Sequence, residues 1–382
     1  MLLDLTIKNY RNFKDFHIDD LARVNLIVGM NNSGKTSLLE AIHLLVNQGN
    51  IEALINLLHS RGELAEQSSA ILSLETPSRL NSYQIRHIFN EHQLDFEKTI
   101  SITSQNESSI SLQIQLQQPP PVINPFDQNV YSTSEGTATE SLGFSLLFSY
   151  GQDVKMLVPI SDDGLITPQA AKLWREYQNR FFFKTNNPLL VLPANISSFL
   201  LTTNNLSFEQ LAKFWDGITL TDKEENVIKA LKILEPNVQR LSFTSHQTHN
   251  TGILLKISGQ RDPIPLGSMG EGMRRILTLV MAAVTVENGV LLVDEIDTGL
   301  HYEVQTDMWR LLFQVAQQLN IQVFATTHSW DCISAFKEAL DQSEDSSIGK
   351  LFRLSRKNEN IRAVEYTPDE LSVAVEEGIE VR

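Results

Sequence analysis

The sequence is poor in cysteine and in long hydrophobic runs. Cys332 is the only cysteine among the 382 residues, so a disulfide within the chain is excluded, and this usage fits a reducing compartment. The longest apolar runs, such as that from Ile276 to Val286, are shorter than the roughly 20 residues that cross a bilayer. The first residues also lack the pattern of a cleaved signal peptide. We therefore expect a cytoplasmic protein without a membrane segment.

Positive charge is also scarce. Lysine and arginine number 31 against 46 aspartates and glutamates, and the formal net charge is −15. A surface built mainly to hold nucleic acid needs a basic footprint, so the composition disfavours such a protein but does not exclude a local basic groove. No heptad pattern persists along the sequence, which argues against a long coiled coil.

The first third of the chain combines strand and helix patterns. Apolar residues alternate from Leu3 to Ile7 as in a half-buried strand, and a continuous apolar run at 26–28 predicts a strand that is covered on both faces. Helical spacing follows at 36–45 and again over about 50–95. The residues from about 97 to 117 predict two strands with polar faces.

The end of the chain alternates apolar strands with amphipathic helices. The apolar run at 290–293 and the largely apolar stretch at 321–326 predict buried strands, and a helix is expected between them. Thr367 and Glu370, with a proline between them, form the pattern of a capping box that starts a last helix. This alternation predicts an α/β fold whose core strands are parallel.

A phosphate-binding loop is predicted between the strand at 26–28 and the helix that follows it. Residues from Gly29 to Thr36 match G-x-x-x-x-G-K-[ST] without a gap. Glycine lets backbone N–H groups turn towards an anion, and the helix directs its positive end to the same point. Lys35 would contact the β- and γ-phosphates, and the Thr36 hydroxyl would bind Mg²⁺. The predicted nucleotide-binding residues of this loop are Gly29, Asn31, Asn32, Ser33, Gly34, Lys35, Thr36 and Ser37.

Acids and a histidine at later strand ends would complete the site. Asp294 ends an apolar strand and is predicted to reach the metal, while the adjacent Glu295 is well placed to accept a proton from an attacking water. His328 follows another apolar strand, and a neutral imidazole there can hydrogen-bond a γ-phosphate. Such residues are also common as solvated groups at strand ends, so their assignment depends on the loop upstream.

A short Ser/Gly loop, GSMGEGM, opens the helix that begins near residue 271. Its helix N-terminus is predicted to hold a second face of the phosphate, although glycine-rich loops before helices are ordinary. Arg274 and Arg275 follow this loop, and they either contact phosphate across an interface or begin a solvated helix.

Taken in order, these pieces resemble an ABC-type ATPase head. The phosphate loop GMNNSGKT, the loop SMGEGM as the signature, the acids of LLVDEID, TGLH as the D-loop and TTHS as the switch-histidine motif follow one another as in that family. The N-terminal NYRNFKDF resembles the start of the RecF, SMC and OLD branch, and IPLGSMGEGMRRIL resembles the standalone OLD-like bacterial ATPases. The likeness covers roughly residues 1–45 and 185–382.

The resemblance implies an ABC-ATPase head with a mixed-sheet core, a helical lobe and an irregular insertion. It implies one head domain over 1–382, divided into a nucleotide-binding lobe (1–103), a flexible insertion (104–142), a strand and helical lobe (143–260) and a lobe with the signature, the strand acids and the switch histidine (261–382). A Toprim nuclease needs roughly a domain's length of chain, and only a short hairpin and helix follow His328, so we expect no nuclease centre.

The resemblance also implies that two copies enclose ATP and Mg²⁺ in a homodimer or a larger oligomer. His328 would contact the γ-phosphate. The residues expected to act in trans are Ser268, Gly270, Glu271 and Gly272 of the signature loop and Asp297 of the D-loop. The N-terminal residues expected to line the outer edge of the nucleotide are Asn9, Arg11 and Asn12.

By the same resemblance, the expected role is that of an ATPase acting as the sensor or motor subunit of a bacterial antiviral defence or stress system. A separate effector, a nuclease or a toxin, would supply the output. One alternative is a nucleotide-gated scaffold that holds such a partner while turnover is incidental. The other is a RecF-like DNA-repair ATPase, which would require nucleic-acid binding.

Overall fold

The computed structural model describes ten stretches of the chain. They are residues 1–65, 82–105, 110–117, 144–151, 154–161, 163–167, 197–203, 206–244, 252–357 and 360–379. The chain forms two compact units, within each of which the contacts between residues are concentrated. The first unit comprises Met1–Asp4, His17–Val46 and Ile196–Arg382, and the second comprises Leu5–Phe16 and Asn47–Asn195.

The described residues form strands and α-helices along both units. The strands are β1 (Leu5–Tyr10), β2 (Phe13–Ile18), β3 (Val24–Val28), β4 (Tyr83–Gln84), β5 (Thr99–Ser104), β6 (Ile110–Gln117), β7 (Phe144–Tyr150), β8 (Val154–Ile160), β9 (Leu165–Ile166), β10 (Ser198–Leu201), β11 (Val238–Thr244), β12 (Gly252–Ile257), β13 (Ile264–Pro265), β14 (Val290–Val293), β15 (Gln322–Thr326), β16 (Gly349–Lys357) and β17 (Asn360–Tyr366). The helices are α1 (Lys35–Val46), α2 (Ile51–Ser60), α3 (Phe208–Ile218), α4 (Asp222–Leu231), α5 (Glu271–Thr285), α6 (Tyr302–Gln318), α7 (Trp330–Asp341) and α8 (Pro368–Glu376). None of these helices is both long and apolar enough to cross a membrane.

A six-stranded mixed sheet lies in the first unit. Its strand order is β10-β14-β15-β3-β16-β17, and every neighbouring pair is parallel except β16 and β17. All residues of β3, β14 and β15 are buried, as strands covered on both faces must be. The predicted α/β fold with a parallel core is therefore confirmed, and β17 adds an antiparallel edge strand.

Helices α5, α6 and α7 contribute most of the helical part of the core of this unit. On α5, Met273, Ile276 and Leu277 share one apolar face of the helix and are buried. Trp309 of α6 and Phe336 of α7 are fully buried and meet edge to face, with ring centroids 4.8 Å apart. Burial of aromatic side chains of this size dominates the energetics of a core. A smaller antiparallel sheet, β11-β12-β13, belongs to the same unit.

The order of the central strands determines where the site forms. β14, β15 and β3 are adjacent and parallel, so their carboxyl ends lie at the same edge of the sheet. The loops that follow them begin at Asp294, Thr327 and Gly29. These loops are distant in sequence and are neighbours in the fold.

The second unit contains an antiparallel sheet. β1, β5, β6, β7 and β8 pair in that order, with β2 beside β1. Leu112, Ile114 and Leu116 alternate as the buried residues of β6, as in a strand with one buried face. The strands predicted over 97–117 are confirmed as β5 and β6.

The helix ends follow local sequence signals. Thr367 accepts from the backbone N–H of Glu370, and the Glu370 carboxylate accepts from the Thr367 N–H, with Pro368 at the first helical position of α8. Ser207 and Gln210 form the same reciprocal cap on α3. The capping box predicted at Thr367 is therefore confirmed, since it depends only on residues three positions apart.

The helical pattern expected over 50–95 is wrong beyond Ser60 in the described residues. Tyr83 and Gln84 form a short strand that pairs with β9, and two single 3₁₀ turns follow it. Glu91 and His92 have φ of 67° and 57°, which an α-helix cannot contain. The sequence PLLVLPAN at 188–195, which has the apolar pattern of a strand, lies outside the described residues, as does most of the predicted insertion at 104–142.

Candidate nucleotide site

The loop between β3 and α1 is closely packed around its first glycine. Gly29 has φ of 149°, and a Cβ at this position would lie 2.6 Å from the Leu354 carbonyl oxygen and 2.8 Å from Ser33 Oγ. Only glycine fits there without displacing backbone. Ser33 Oγ is buried and makes no hydrogen bond within the described residues. The loop therefore contains a buried polar group that a bound anion could satisfy.

Lys35 is held at the centre of this loop. Its ammonium donates to the carbonyl oxygens of Gly29 at 2.7 Å and Met30 at 3.0 Å, and it lies 3.4 Å from His328 Nδ1. Burial lowers the pKa of Lys35 to about 8, and the charges of Asp294 and Glu295 oppose this shift. The Lys35 ammonium is therefore a buried positive charge within the loop, where a lysine that contacts phosphate is expected.

Thr36 and Asp294 meet although 258 positions separate them. The Thr36 hydroxyl donates to Asp294 Oδ2 at 2.9 Å, and the Thr326 hydroxyl donates to Asp294 Oδ1 at 2.6 Å. Thr326 Oγ1 also accepts from the backbone N–H of Glu295 at 2.9 Å. Thr326 is fully buried, so it fixes both acids from the neighbouring strand.

This group of oxygens fits a hard divalent cation. Mg²⁺ prefers oxygen ligands and uses one or two carboxylates with substrate phosphate. The hydroxyl of Thr36 and the carboxylate of Asp294 are such donors, and their direct hydrogen bond shows that they reach the same point. The predicted metal ligands are therefore brought together by the fold.

Glu295 has an unusual backbone conformation. Its φ is 47°, a left-handed value that is uncommon for a residue other than glycine, asparagine or aspartate. Its carboxylate is partly exposed, and Thr298 Oγ1 lies 3.5 Å from Oε2. The carboxylate next in sequence to Asp294 is therefore partly open to water.

His328 follows β15 and lies beside Lys35. Burial lowers the pKa of His328, and the positive charge of Lys35 lowers it further, against the opposing acids Glu295, Asp294 and Asp297. The imidazole is therefore neutral at neutral pH, with one nitrogen able to donate and the other able to accept. Such a group can hydrogen-bond a phosphate oxygen.

The signature loop and the D-loop are adjacent within one chain. A Cβ at Gly272 would lie 3.3 Å from the Gly299 carbonyl oxygen, and a Cβ at Gly299 would lie 3.2 Å from Glu271 Cγ. Ser268, Gly270 and Glu271 are exposed.

Asp297 is anchored by the segment that carries His328. The hydroxyl of the buried Thr327 donates to Asp297 Oδ1 at 2.6 Å and accepts from the backbone N–H of Ser329 at 3.0 Å. The D-loop and the histidine loop therefore share one hydroxyl group.

The three N-terminal residues expected near the nucleotide belong to the second unit. There the Asn9 amide donates to the Thr99 carbonyl oxygen at 3.0 Å. Arg11 is buried, and its guanidinium pairs with the Glu63 carboxylate at 2.6 and 3.2 Å. Asn12 is partly buried. Their role towards a nucleotide stays a prediction.

Two residues of the site were not assigned a role from the sequence. Thr326 was visible only as part of TTHS, although a hydroxyl at the end of a buried strand next to an acid-bearing strand is a usable signal. Arg275 was left between a phosphate contact and a solvated helix start. The structure excludes the solvated position for Arg275, since it is 1% exposed.

The chain is similar in sequence to two proteins over most of their length. The chain is 24% identical to the ATP/GTP phosphatase of Helicobacter pylori over 94% of both proteins. It is 23% identical to the DNA replication and repair protein RecF of Francisella tularensis subsp. novicida, over 87% of this chain and 96% of that protein. Among solved structures, the SMC head bound to the C-winged helix domain of ScpA superposes with a TM-score of 0.47 and 13% identity, covering 96% of this chain and 97% of that chain.

A family model matches residues 24–331, from the first strand of the central sheet to the helix after His328. Its description is "AAA domain, putative AbiEii toxin, Type IV TA system". The interpretation of the sequence as an ATPase of the RecF branch is confirmed by this match together with the RecF relative. The chain belongs to this AAA domain family.

Proposed function

We propose that the chain binds ATP with Mg²⁺ between two copies and that Glu295 promotes hydrolysis. The observation that carries the proposal is the hydrogen bond between Thr36 and Asp294, with Lys35 beside His328. It joins the phosphate loop to the two strand ends that a nucleotide site needs. The H. pylori relative is named an ATP/GTP phosphatase, which supports the same chemistry.

The residues of the site have distinct proposed roles. The loop N–H groups and Lys35 bind the β- and γ-phosphates, and His328 hydrogen-bonds the γ-phosphate. Thr36 and Asp294 hold Mg²⁺, which when bound neutralises developing phosphate charge. Glu295 orients a water and accepts its proton.

The signature loop is proposed to act on the nucleotide of the second copy. Ser268 and Gly270 are exposed and lie at the start of α5, whose N-terminus can accept an anion. The exposed loop lies beside Gly299 of the D-loop, so one continuous surface would face the partner. Gly270 has φ of 89°, which only glycine adopts readily.

The ATPase proposal is tested by hydrolysis and binding assays with Mg²⁺. Lys35→Met removes the phosphate contact, so we expect loss of both ATP binding and turnover. Glu295→Gln keeps the shape of the side chain and removes its basicity, so we expect retained binding and turnover lowered by about 100-fold or more.

Lys232→Met, on the exposed end of α4, is the matched control and should change neither ATP binding nor turnover. A purified protein with no affinity for ATP in Mg²⁺ would exclude the proposal, and chelation by EDTA should abolish turnover.

We further propose that the chain is the sensor or motor subunit of a bacterial defence or stress system that acts with a separate effector. The support is the family description, which names a toxin of a type IV system. Affinity capture with and without ATP should recover a nuclease or toxin encoded by the same cells only in the nucleotide-bound state. If Glu295→Gln retains full protection against phage, a nucleotide-gated scaffold is favoured over an enzyme.

The RecF relatives favour a second candidate, a DNA-repair ATPase. It requires affinity for DNA that falls steeply with salt, because phosphate contacts release counterions. The net charge of −15 opposes this function. Fluorescence anisotropy with duplex DNA at 50 and 200 mM salt distinguishes it from the defence role.

A further inference from the structure

Arg275 lies on the first turns of α5, and its guanidinium ends beneath the two strand-end acids. Nη2 donates to the backbone carbonyl oxygens of Asp294 at 3.2 Å and of Glu295 at 2.9 Å, and Nη1 donates to the Thr202 carbonyl oxygen at 3.1 Å. The residue is 1% exposed. Its N–H groups therefore bind backbone of the same chain, and they are not free to bind phosphate of a second copy.

Burial of a guanidinium requires a compensating interaction, because removing this charge from water is costly. The three carbonyl oxygens supply part of it. Burial lowers the pKa of Arg275, and the negative charges of Asp297, Asp294, Glu295 and Glu271 oppose that shift. Arg275 Nε makes no hydrogen bond in the described part of the chain. The hydrogen bonds of the guanidinium are therefore those that Nη1 and Nη2 donate to the three carbonyl oxygens. A purely structural core position is filled at lower cost by an apolar residue.

The backbone that Arg275 binds is strained. A left-handed conformation is unfavourable for a residue other than glycine and persists only where surrounding contacts determine it. At Glu295 these contacts come from both sides, since Thr326 Oγ1 accepts from its N–H and Arg275 donates to its carbonyl oxygen. The direction of the Glu295 side chain follows from this backbone conformation.

We propose that Arg275 is a positioning residue for hydrolysis, which holds the left-handed backbone of Glu295 and thereby directs its carboxylate. The proposal rests on the proposed role of Glu295. It predicts that loss of Arg275 impairs turnover while nucleotide binding is retained, because the phosphate loop is formed by other residues. It also links α5, which begins at the signature loop, to the acid that activates water in the same chain.

The test is a double-mutant cycle with Glu295→Gln. Arg275→Met should lower kcat by about 10- to 100-fold, as expected for a misplaced catalytic group, while the Kd for ATP changes by less than about threefold. Arg275→Lys keeps the charge but cannot donate to the carbonyls in the same fork geometry, so it should recover only part of kcat. In the Glu295→Gln background neither substitution should lower the residual turnover further.

The matched control is Arg310→Met, which removes a half-exposed arginine from α6 and should leave kcat and Kd unchanged. Thermal midpoints establish that each variant is folded. If Arg275→Met does not fold, the kcat and Kd of Arg275→Lys alone test the proposal. The proposal is overturned if the folded substitutions keep kcat within about twofold of the parent, or if they lower turnover equally with Gln at position 295. If the parent protein itself does not hydrolyse ATP, or Glu295→Gln is fully active, the proposed function fails instead.

Discussion

At the scale of single residues, Gly29 is the position of the phosphate loop with the least free space. Gly29→Ala places a Cβ against the Leu354 carbonyl and Ser33 Oγ, so we expect a loss of about 1–3 kcal/mol of unfolding free energy and weaker ATP binding. Gly217→Ala on α3 is the matched control, because nothing lies within 4 Å of its Cβ. The control should be neutral or stabilise by about 0.5–1 kcal/mol. Chemical denaturation and ATP titration measure both effects, and equal behaviour of the two variants would contradict the packing argument.

The thiol of Cys332 gives a second prediction at this scale. The residue is fully buried at the start of α7, and burial raises the pKa of the Cys332 thiol. Because the thiolate is the reactive form, native protein should not react with a thiol reagent such as dithionitrobenzoate. Denatured protein should react with one equivalent at once. Rapid labelling of the native protein would show that this helix opens.

At the scale of elements, a partly buried histidine of α1 contacts β10. His43 Nδ1 lies 3.0 Å from Ser198 Oγ, and burial lowers the pKa of His43 from 6.5 to about 4. The unfolded chain therefore binds more protons than the folded chain between these values, so stability falls as the pH falls below 6.5. Between pH 7 and 4.5, the unfolding free energy of His43→Gln should therefore fall by about 2 kcal/mol less than that of the parent.

Urea denaturation as a function of pH measures this dependence. His59→Gln on the exposed end of α2 is the control, and its pH profile should match that of the parent. A parent profile that is flat from pH 7 to 4.5, or a steep profile that His43→Gln leaves unchanged, would exclude His43 as the cause.

The elements also show what local sequence can predict. The phosphate loop, the buried strand before Asp294 and the cap at Thr367 depend on residues a few positions apart, and each was predicted. The helix expected over 50–95 failed where Glu91 and His92 adopt positive φ, since apolar spacing carries no information about φ. The contacts of Arg275 join residues 19, 20 and 73 positions apart, so its partners follow from the fold and not from the motif.

At the scale of the whole molecule, the proposed dimer predicts complementation between two inactive variants. Lys35→Met inactivates the phosphate loop, and Ser268→Arg blocks the signature loop. If each nucleotide contacts both copies, a mixed dimer has one intact site, and half of the dimers in an equal mixture are mixed. The mixture should therefore regain about a quarter of the parent ATPase rate.

Each variant alone should be inactive. The two variants are first mixed without ATP so that subunits can exchange between dimers, and ATP is then added; the recovered activity should rise with the time allowed for exchange. Light scattering of Glu295→Gln with ATP should give twice the mass seen without nucleotide. A mixture that stays inactive while both variants remain folded and form dimers would place the signature loop and the phosphate loop in the same chain's site.

The wide spacing of the hydrogen-bonded partners has a consequence for newly made protein. Thr36 is translated 258 residues before Asp294, and Lys35 is translated 293 residues before His328. At about 5–20 residues per second, a ribosome needs about 15–60 s to supply the missing strands. During that interval the nascent chain displays a phosphate loop without its acids, so the proposed ATP site can form only after the strands that precede Asp294 and His328 have been made.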